Sequence, residues 1–321
     1  MTKLWAAKAL TPAGWRRAVV IEIDVHGRIA HVASDHPAVG ERYSVMLPAP
    51  VNGHSHAFQR VMAGLTEMRG PGARDEFWSW RERMYQFAEI LTPDDLEAIA
   101  AFAQMEMLEA GYAAVAEFHY LHHGPGGTPY ADPSEMSARI VAAASQSGIG
   151  LLFLPVLYEQ QGVDGGSLVG AQKRFGCTVE QYANLLDAVS VAVGTLPDDS
   201  GVGVAAHSLR AVSRKSLADI ERLLPAAPLH MHLAEQSAEV SDIEAAWGMR
   251  PVRWMLDHYD ISQRWCLVHC TQATEEEARA LAHVGAVVGL CPITESNLGD
   301  GIFRAVSYFG ATGRFCIGSD S

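Results

Sequence analysis

The sequence predicts an α/β protein: a (β/α)8 barrel of the TIM type preceded by a small N-terminal β domain. Three observations carry this prediction. From Tyr43 onward, short apolar runs alternate with longer helical segments, the pattern of βα units around a parallel sheet. The apolar runs number eight, the count that closes a barrel. Side chains of metal-binding type stand where several of those runs stop, and a barrel of this kind collects its chemistry at the C-terminal ends of its strands.

Residues 1–46 read differently from the rest. Arg17–Ile23 and Arg28–Ala33 alternate apolar and polar residues around Asp24-Val25-His26-Gly27, which predicts antiparallel strands joined by a tight turn. The division expected is therefore a small β domain over 1–46 and a barrel over 47–321 that ends at strand eight. The barrel strands expected are Ser44–Val51, Ala113–Phe118, Gly150–Leu157, Gly203–Ala206, Leu229–Leu233, Trp265–His269, Ala286–Leu290 and Phe315–Gly318. Helix starts between them are legible. Thr92 can cap a helix with Pro93 at its first position, and Thr274 is followed by Glu275, Glu276 and Glu277 at the positive end of a helix dipole. A doubly wound open sheet shares much of this pattern.

Composition narrows the function classes. The 321-residue chain is 49% hydrophobic and 19% charged, a globular mix that excludes disorder, collagen and coiled coil. Lys+Arg 24 against Asp+Glu 37 gives a formal net charge of −13, so no nucleic-acid or anionic-membrane partner is expected. Cys177, Cys266, Cys270, Cys291 and Cys316 form an odd set without a CxxC pair, which points to a reducing, cytoplasmic compartment. The N-terminus, interrupted by Lys3 and Lys8, lacks the apolar core of a signal peptide. Ile140–Tyr158 approaches bilayer length but is divided by Ser145, Gly148, Gly150 and Pro155, so no membrane span is expected.

The strand-end residues carry the chemistry. The first run leads into Asn52-Gly53-His54-Ser55-His56, and the period of two puts His54 and His56 on one face. The fifth gives His230-Met231-His232-Leu233-Ala234-Glu235, the sixth His269, and the eighth Gly318-Ser319-Asp320. Three imidazoles and a carboxylate suit zinc or a similar divalent ion, with a position left for water. A single HxH is more often a pair of hydrogen-bonded histidines than a metal site. It is the ordered set HxH, His, His, Asp at the ends of strands one, five, six and eight that singles the site out. His230 shares the face of His232 one layer deeper and suits packing. His26, His31, His36, His258 and His283 fall in turns or helices, and His122 and His123 in a loop without an assigned role. The cysteines suit packing, since neither Cys270 nor Cys291 has a neighbour that would lower its pKa. The polar stretch Thr294–Gly301 is expected to be a loop at the catalytic end.

This order resembles the amidohydrolase superfamily of metal-dependent hydrolase barrels, and the absence of a lysine after strand four resembles its single-metal branch. More narrowly, Asn52–Arg60, Met62–Glu67, Phe77–Arg81, Ala116–Tyr120, His207–Arg210 and His232–Gln236 resemble the formimidoylglutamate deiminases of histidine degradation, in motifs that span almost the whole chain. The resemblance implies one zinc ion held by His54, His56, His232 and Asp320, with Glu235 and His269 handling protons. It implies substrate contacts from Gln59, Arg81, Tyr120, His207 and Arg210. A small molecule with two carboxylates is the expected partner, and guanidinium groups are how an acidic protein would hold one. The plainer readings are that Arg81 is a solvated helix residue and that Arg210 caps a helix end. A homodimer is allowed. The resemblance also leads one to expect a bulkier residue at Gly53, and family members to continue past strand eight and complete a β-sandwich.

The implied reaction is hydrolytic deimination of N-formimino-L-glutamate, with Asp320 accepting a proton from the attacking water. A deaminase of the same superfamily acting on a guanine- or cytosine-type ring is the rival enzyme, and it would need a flat apolar slot. A non-catalytic barrel used as a binding module is the rival from another class, and it would be expected to have lost ligands.

Overall fold

The computed structural model describes residues 2–66 and 77–320. Glu67 and the side chains of Phe77, Trp78 and Ser79, singled out above, lie outside the described residues. The chain divides into two compact units at Pro50/Val51.

The first unit is a four-stranded sheet of β1 (Thr2–Thr11), β2 (Gly14–Ile23), β3 (Ile29–Ala33) and β4 (Glu41–Met46) in the order β3-β2-β1-β4. The β2–β3 turn forms because Asp24 Oδ1 accepts the backbone N–H groups of His26 and Arg28 at 2.8 and 2.9 Å. Ala6, Ala9 and Val19 make its small core.

In the second unit β5 (Val51–Ser55) is followed by α1 (Phe77–Ile90) and α2 (Pro93–Glu109), then β6 (Ala114–His119), α3 (Glu135–Ser147), β7 (Gly150–Leu157) and α4 (Val179–Val193). A two-residue strand β8 (Gly201–Val202) precedes β9 (Val204–Ser208), α5 (Arg214–Glu221), β10 (Leu229–Leu233), α6 (Ser237–Trp247) and α7 (Pro251–His258). The chain continues through β11 (Trp265–His269), α8 (Glu275–Val284), β12 (Val287–Leu290), α9 (Pro292–Leu298), α10 (Ala305–Gly310) and β13 (Arg314–Ile317). Strands β5, β6, β7, β9, β10, β11, β12 and β13 pair in parallel and close on themselves, β13 meeting β5 at Ile317 and Asn52. This is the expected (β/α)8 barrel. Thr92 and Thr274 cap α2 and α8 with reciprocal bonds from Asp95 and Glu277. Among the described residues no helix is long and apolar enough to cross a membrane.

Two local expectations are corrected. The first barrel strand is Val51–Ser55 rather than Ser44–Val51. Pro48 and Pro50 lack the N–H a ladder needs, so β4 ends before them. The true strand carries buried polar residues, Asn52 and His54, where an apolar run was sought. Residues 294–298 are helical, not loop. Pro292 starts α9, Glu295 Oε1 accepts the Cys291 N–H at 2.8 Å, and Gly299 ends the helix at φ 72°.

Closure of the barrel needs two glycines. A Cβ on Gly53 would meet the Cys316 thiol and stand 2.6 Å from Cys316 Cβ, so the bulkier residue expected there does not fit. A Cβ on Gly318 would stand 2.7 Å from both Cβ and the carbonyl oxygen of His54. With the strands that close, Asn52 accepts the Ser319 N–H at 3.0 Å and donates to Ser319 Oγ at 2.8 Å, while the Asp320 N–H donates to the His54 carbonyl at 3.0 Å. Elsewhere, fully buried Arg174 donates to the carbonyls of Ala88, Leu91 and His123, gathering the end of α1 against the barrel.

Gly318→Ala is expected to lower unfolding stability by about 1–3 kcal/mol, because the new methyl presses on backbone as well as side chain. Urea denaturation measures it, and an unchanged midpoint would show that the two strands can part without cost.

Candidate active site

The C-terminal ends of β5 and β10 and the residue after Ser319 bring four side chains to one point. His54, His56, His232 and Asp320 each offer a ligand atom, all within 4.8 Å of one another and all buried. The Nε2 atom of His54 lies 3.1 Å from that of His56, 3.0 Å from that of His232 and 3.1 Å from Asp320 Oδ1. His56 and His232 are 3.3 Å apart at Nε2, and His56 stands 3.4 Å from Asp320.

The cluster fits a divalent cation. His56 Nδ1 donates to the Phe118 carbonyl at 2.8 Å and His232 Nδ1 to the His207 carbonyl at 3.0 Å. A carbonyl can only accept, so each ring carries its proton on Nδ1 and turns a bare Nε2 lone pair inward. Burial lowers the pKa of all three imidazoles, His56 to about 3, which keeps them neutral. Two lone pairs facing at 3.3 Å without a proton between them repel, and a cation is what relieves that. The contacts of 3.0–3.4 Å match the edge of a tetrahedron with zinc–nitrogen arms of about 2.05 Å, roughly 3.3 Å. Burial raises Asp320, but the His54 ring beside it and the charge of His269 outweigh this and hold it well below the usual carboxylate range.

Glu235 and His269 flank the cluster. Glu235 follows β10 at a turn where Ala234 has φ 50°, and Glu239 clasps that turn by accepting the N–H groups of Ala234 and Glu235 at 3.1 and 3.0 Å. Burial, against the charge of His269 and helped by Asp300, raises Glu235 to about 7. His269 Nε2 lies 3.9 Å from Glu235 Oε1, and its Nδ1 donates to Glu295 at 3.3 Å. Burial pulls His269 down, but the carboxylates of Glu235, Glu295 and Asp320 win and push it up to about 10. Glu235 is therefore poised to exchange a proton near neutral pH, while His269 stays charged there.

A pocket opens over the cluster, and its lining includes Gln59, Arg81, Tyr120, His207 and Arg210 as well as His56, His232, Glu235, His269 and Asp320. His54 is the one candidate that lies beneath it, fully buried. Gln59 Nε2 donates to the Tyr120 hydroxyl at 2.7 Å, and Arg81 Nε donates to the Tyr85 hydroxyl at 2.6 Å. His230 lines no part of the pocket, in keeping with packing, and His122 and His123 donate to the carbonyls of Val156 and Gly176. The thiols of Cys177, Cys270 and Cys291 are pushed up by burial, as inert core sulfurs should be.

Sequence reasoning missed Trp80, Tyr85, Tyr158 and Phe175 in the pocket wall, because aromatic residues spread over three elements leave no local pattern. It also missed three buried glutamates that fix strand ends: Glu117, whose Oε1 accepts the Ala57 N–H at 2.7 Å, Glu239 and Glu295. For Glu295 a signal existed, the proline and glycine that bracket α9.

The amidohydrolase family profile matches residues 45–321. The chain is 46% identical to formimidoylglutamate deiminase of Pseudomonas aeruginosa, an alignment that covers all of this chain and 71% of that enzyme. The crystal structure of an amidohydrolase from Brucella melitensis superimposes with a TM-score of 0.96 at 47% identity, over all of this chain and 71% of that one. An atrazine chlorohydrolase from Arthrobacter aurescens, crystallised with zinc, shares the fold with a TM-score of 0.83 at 18% identity, over all of this chain and 72% of that one.

Two outcomes are expected. Zinc at a hundredfold its Kd should stabilise the metal-free protein by about 2.7 kcal/mol, and His56→Ala should lose that gain. Calorimetry with chelator and then zinc reads it, and an unmoved Tm in the parent would refute the site. The second concerns Glu117, which burial raises to about 8 from 4.5. Its folded form then holds a proton that the unfolded chain releases, so its contribution is complete below about pH 4.5 and fades as pH rises to about 8. Glu117→Gln keeps an acceptor for Ala57 and should remove a slope of at most about 1.4 kcal/mol per pH unit over that window. Parallel stability–pH curves for the two proteins would show that Glu117 is ionised in the fold.

Proposed function

The chain belongs to the amidohydrolase family, and from that premise we propose that it hydrolyses N-formimino-L-glutamate to N-formyl-L-glutamate and ammonia, a step of histidine degradation. One observation carries the reading beyond the 46% identity to a formimidoylglutamate deiminase. The pocket that opens on the imidazole–carboxylate cluster is also lined by two guanidinium groups, Arg81 and Arg210.

The family is metal-dependent, and the residues that would hold the ion are His54, His56, His232 and Asp320. Bound there, a divalent ion, zinc by the donor set, supplies Lewis acidity and a nucleophile from water at neutral pH. Asp320, held ionised by the His54 ring beside it and the charge of His269, accepts the proton of the attacking water. Glu235, near 7, gives its proton to the imino nitrogen; on collapse the departing amine takes the proton held by Asp320 and the hydroxyl of the tetrahedral centre returns one to Glu235, so that ammonia leaves neutral. His269, charged at neutral pH, steadies the oxygen that develops charge on the formimino carbon. Arg81 and Arg210 take the two carboxylates in charge-assisted pairs. Tyr120 receives its bond from Gln59, which leaves its own proton free to donate to the substrate.

The aromatic wall of Trp80, Tyr85, Tyr120, Tyr158 and Phe175 favours a second reading, a deaminase of a flat ring. The polar handles on that wall argue the other way: the hydroxyls of Tyr85 and Tyr158 accept from Arg81 at 2.6 Å and Gln172 at 3.5 Å and keep a proton to donate, which suits a polar substrate better than a flat apolar slot would.

Ammonia release by the zinc-loaded chain separates the two. Formiminoglutamate should be turned over, and Arg210→Ala should cut kcat/KM by about 10- to 100-fold, the loss of a charge-assisted bond worth about 1.5–3 kcal/mol. An uncharged formamidine should be poor with the parent and lose little more. Turnover of guanine or cytosine in preference to formiminoglutamate, or equal losses on both amidines, would overturn the assignment.

A further inference from the structure

We infer that Glu295, which lies outside the pocket, is a positioning residue that fixes the proton and the ring plane of His269. The inference rests on the deiminase reading for its kinetic arm and on the geometry alone for its spectroscopic arm.

The backbone at the end of β11 aims His269 but does not hold its ring. His269 and Cys270 are consecutive left-handed residues with φ 69° and 52°, a turn that throws the imidazole inward. Its ring stacks on that of His232 at 5.5 Å with planes 13° apart, an arrangement that permits sliding within the plane. Among the described residues its one side-chain hydrogen bond is to Glu295. That carboxylate is itself anchored. It sits in the first turn of α9, buried, and the same oxygen, Oε1, accepts both the Cys291 N–H at 2.8 Å and His269 Nδ1 at 3.3 Å. The acceptor atom for His269 is thus located by a backbone amide, not by a free rotamer.

Chemistry follows from the pairing. A carboxylate oxygen only accepts, so the imidazole must carry a proton on Nδ1, and the ring is turned to present Nε2 toward Glu235, 3.9 Å away, and the pocket. Without Glu295 the Nδ1 proton has no acceptor and the ring can rotate away from the reacting atoms. Because both bonds end on one oxygen, a glutamine can keep both through its amide carbonyl, whereas a leucine of similar size can keep neither.

The test compares the parent chain with Glu295→Leu and Glu295→Gln, each loaded with zinc. For Glu295→Leu the expected result is a kcat about 10- to 100-fold lower with KM within about twofold and zinc content unchanged, and for Glu295→Gln recovery to within about threefold of the parent. In imidazole nitrogen NMR the His269 Nδ1–H signal should be present in the parent and in Glu295→Gln. Parental kcat in Glu295→Leu, a parallel collapse of KM and zinc content, or an unprotonated Nδ1 in the parent would each overturn the role. If Glu295→Leu does not fold, the glutamine variant and the parent spectrum decide. A parent that releases no ammonia refutes the deiminase reading, and the Nδ1 signal still judges Glu295.

Discussion

Everything at this site depends on how the last barrel strand meets the first. A parallel barrel closes only where two strands distant in sequence come into register, and here they do so at Ile317 and Asn52. Gly53 and Gly318 remove the two Cβ atoms that would hold the strands apart, and Asn52 then binds the backbone and hydroxyl of Ser319. The amide of Asp320 reaches the carbonyl of His54 as the next link. The residue that completes the imidazole–carboxylate cluster is the one whose backbone completes the seam.

A second constraint is electrostatic. Burial makes the imidazoles neutral and bare toward one another, and the same burial lifts Glu235 into the neutral range while a ring of carboxylates keeps His269 charged. Opposite outcomes for groups a few ångströms apart require fixed distances, since a small shift would let a neighbouring charge dominate. Buried carboxylates supply that fixity. Glu117 and Glu239 each accept a backbone N–H just beyond a strand that carries a site residue, and Glu295 accepts one just beyond β12. The protein uses one device three times.

The legibility of the sequence follows the same division. Barrel strands rich in buried apolar residues, such as Gly150–Leu157, Leu229–Leu233 and Trp265–His269, show as hydrophobic runs and are located to the residue. The first strand was displaced because its buried side chains are polar, so the hydrophobic signal fades where the chemistry begins. The ordered histidines and Asp320 stood out because barrel strand ends are where ligands must be. Tyr85, Tyr158 and Phe175 did not, since nothing local links an α1 residue to one after β7 and one after a short helical turn near residue 174. Glu295 was read as part of a polar loop, although the proline and glycine around it spell a helix.

The rings of His56 and His232 are steered by the carbonyl oxygens of Phe118 and His207. Carbonyls belong to every residue, so that steering does not depend on which side chains occupy those two positions, only on the strands keeping their course. Lineages could therefore exchange the side chain at position 207, which faces the pocket, and explore new substrates without detuning the histidine beside it. Orientation set through the main chain ties the ring geometry to the course of the strands and leaves the pocket-facing side chain free to differ.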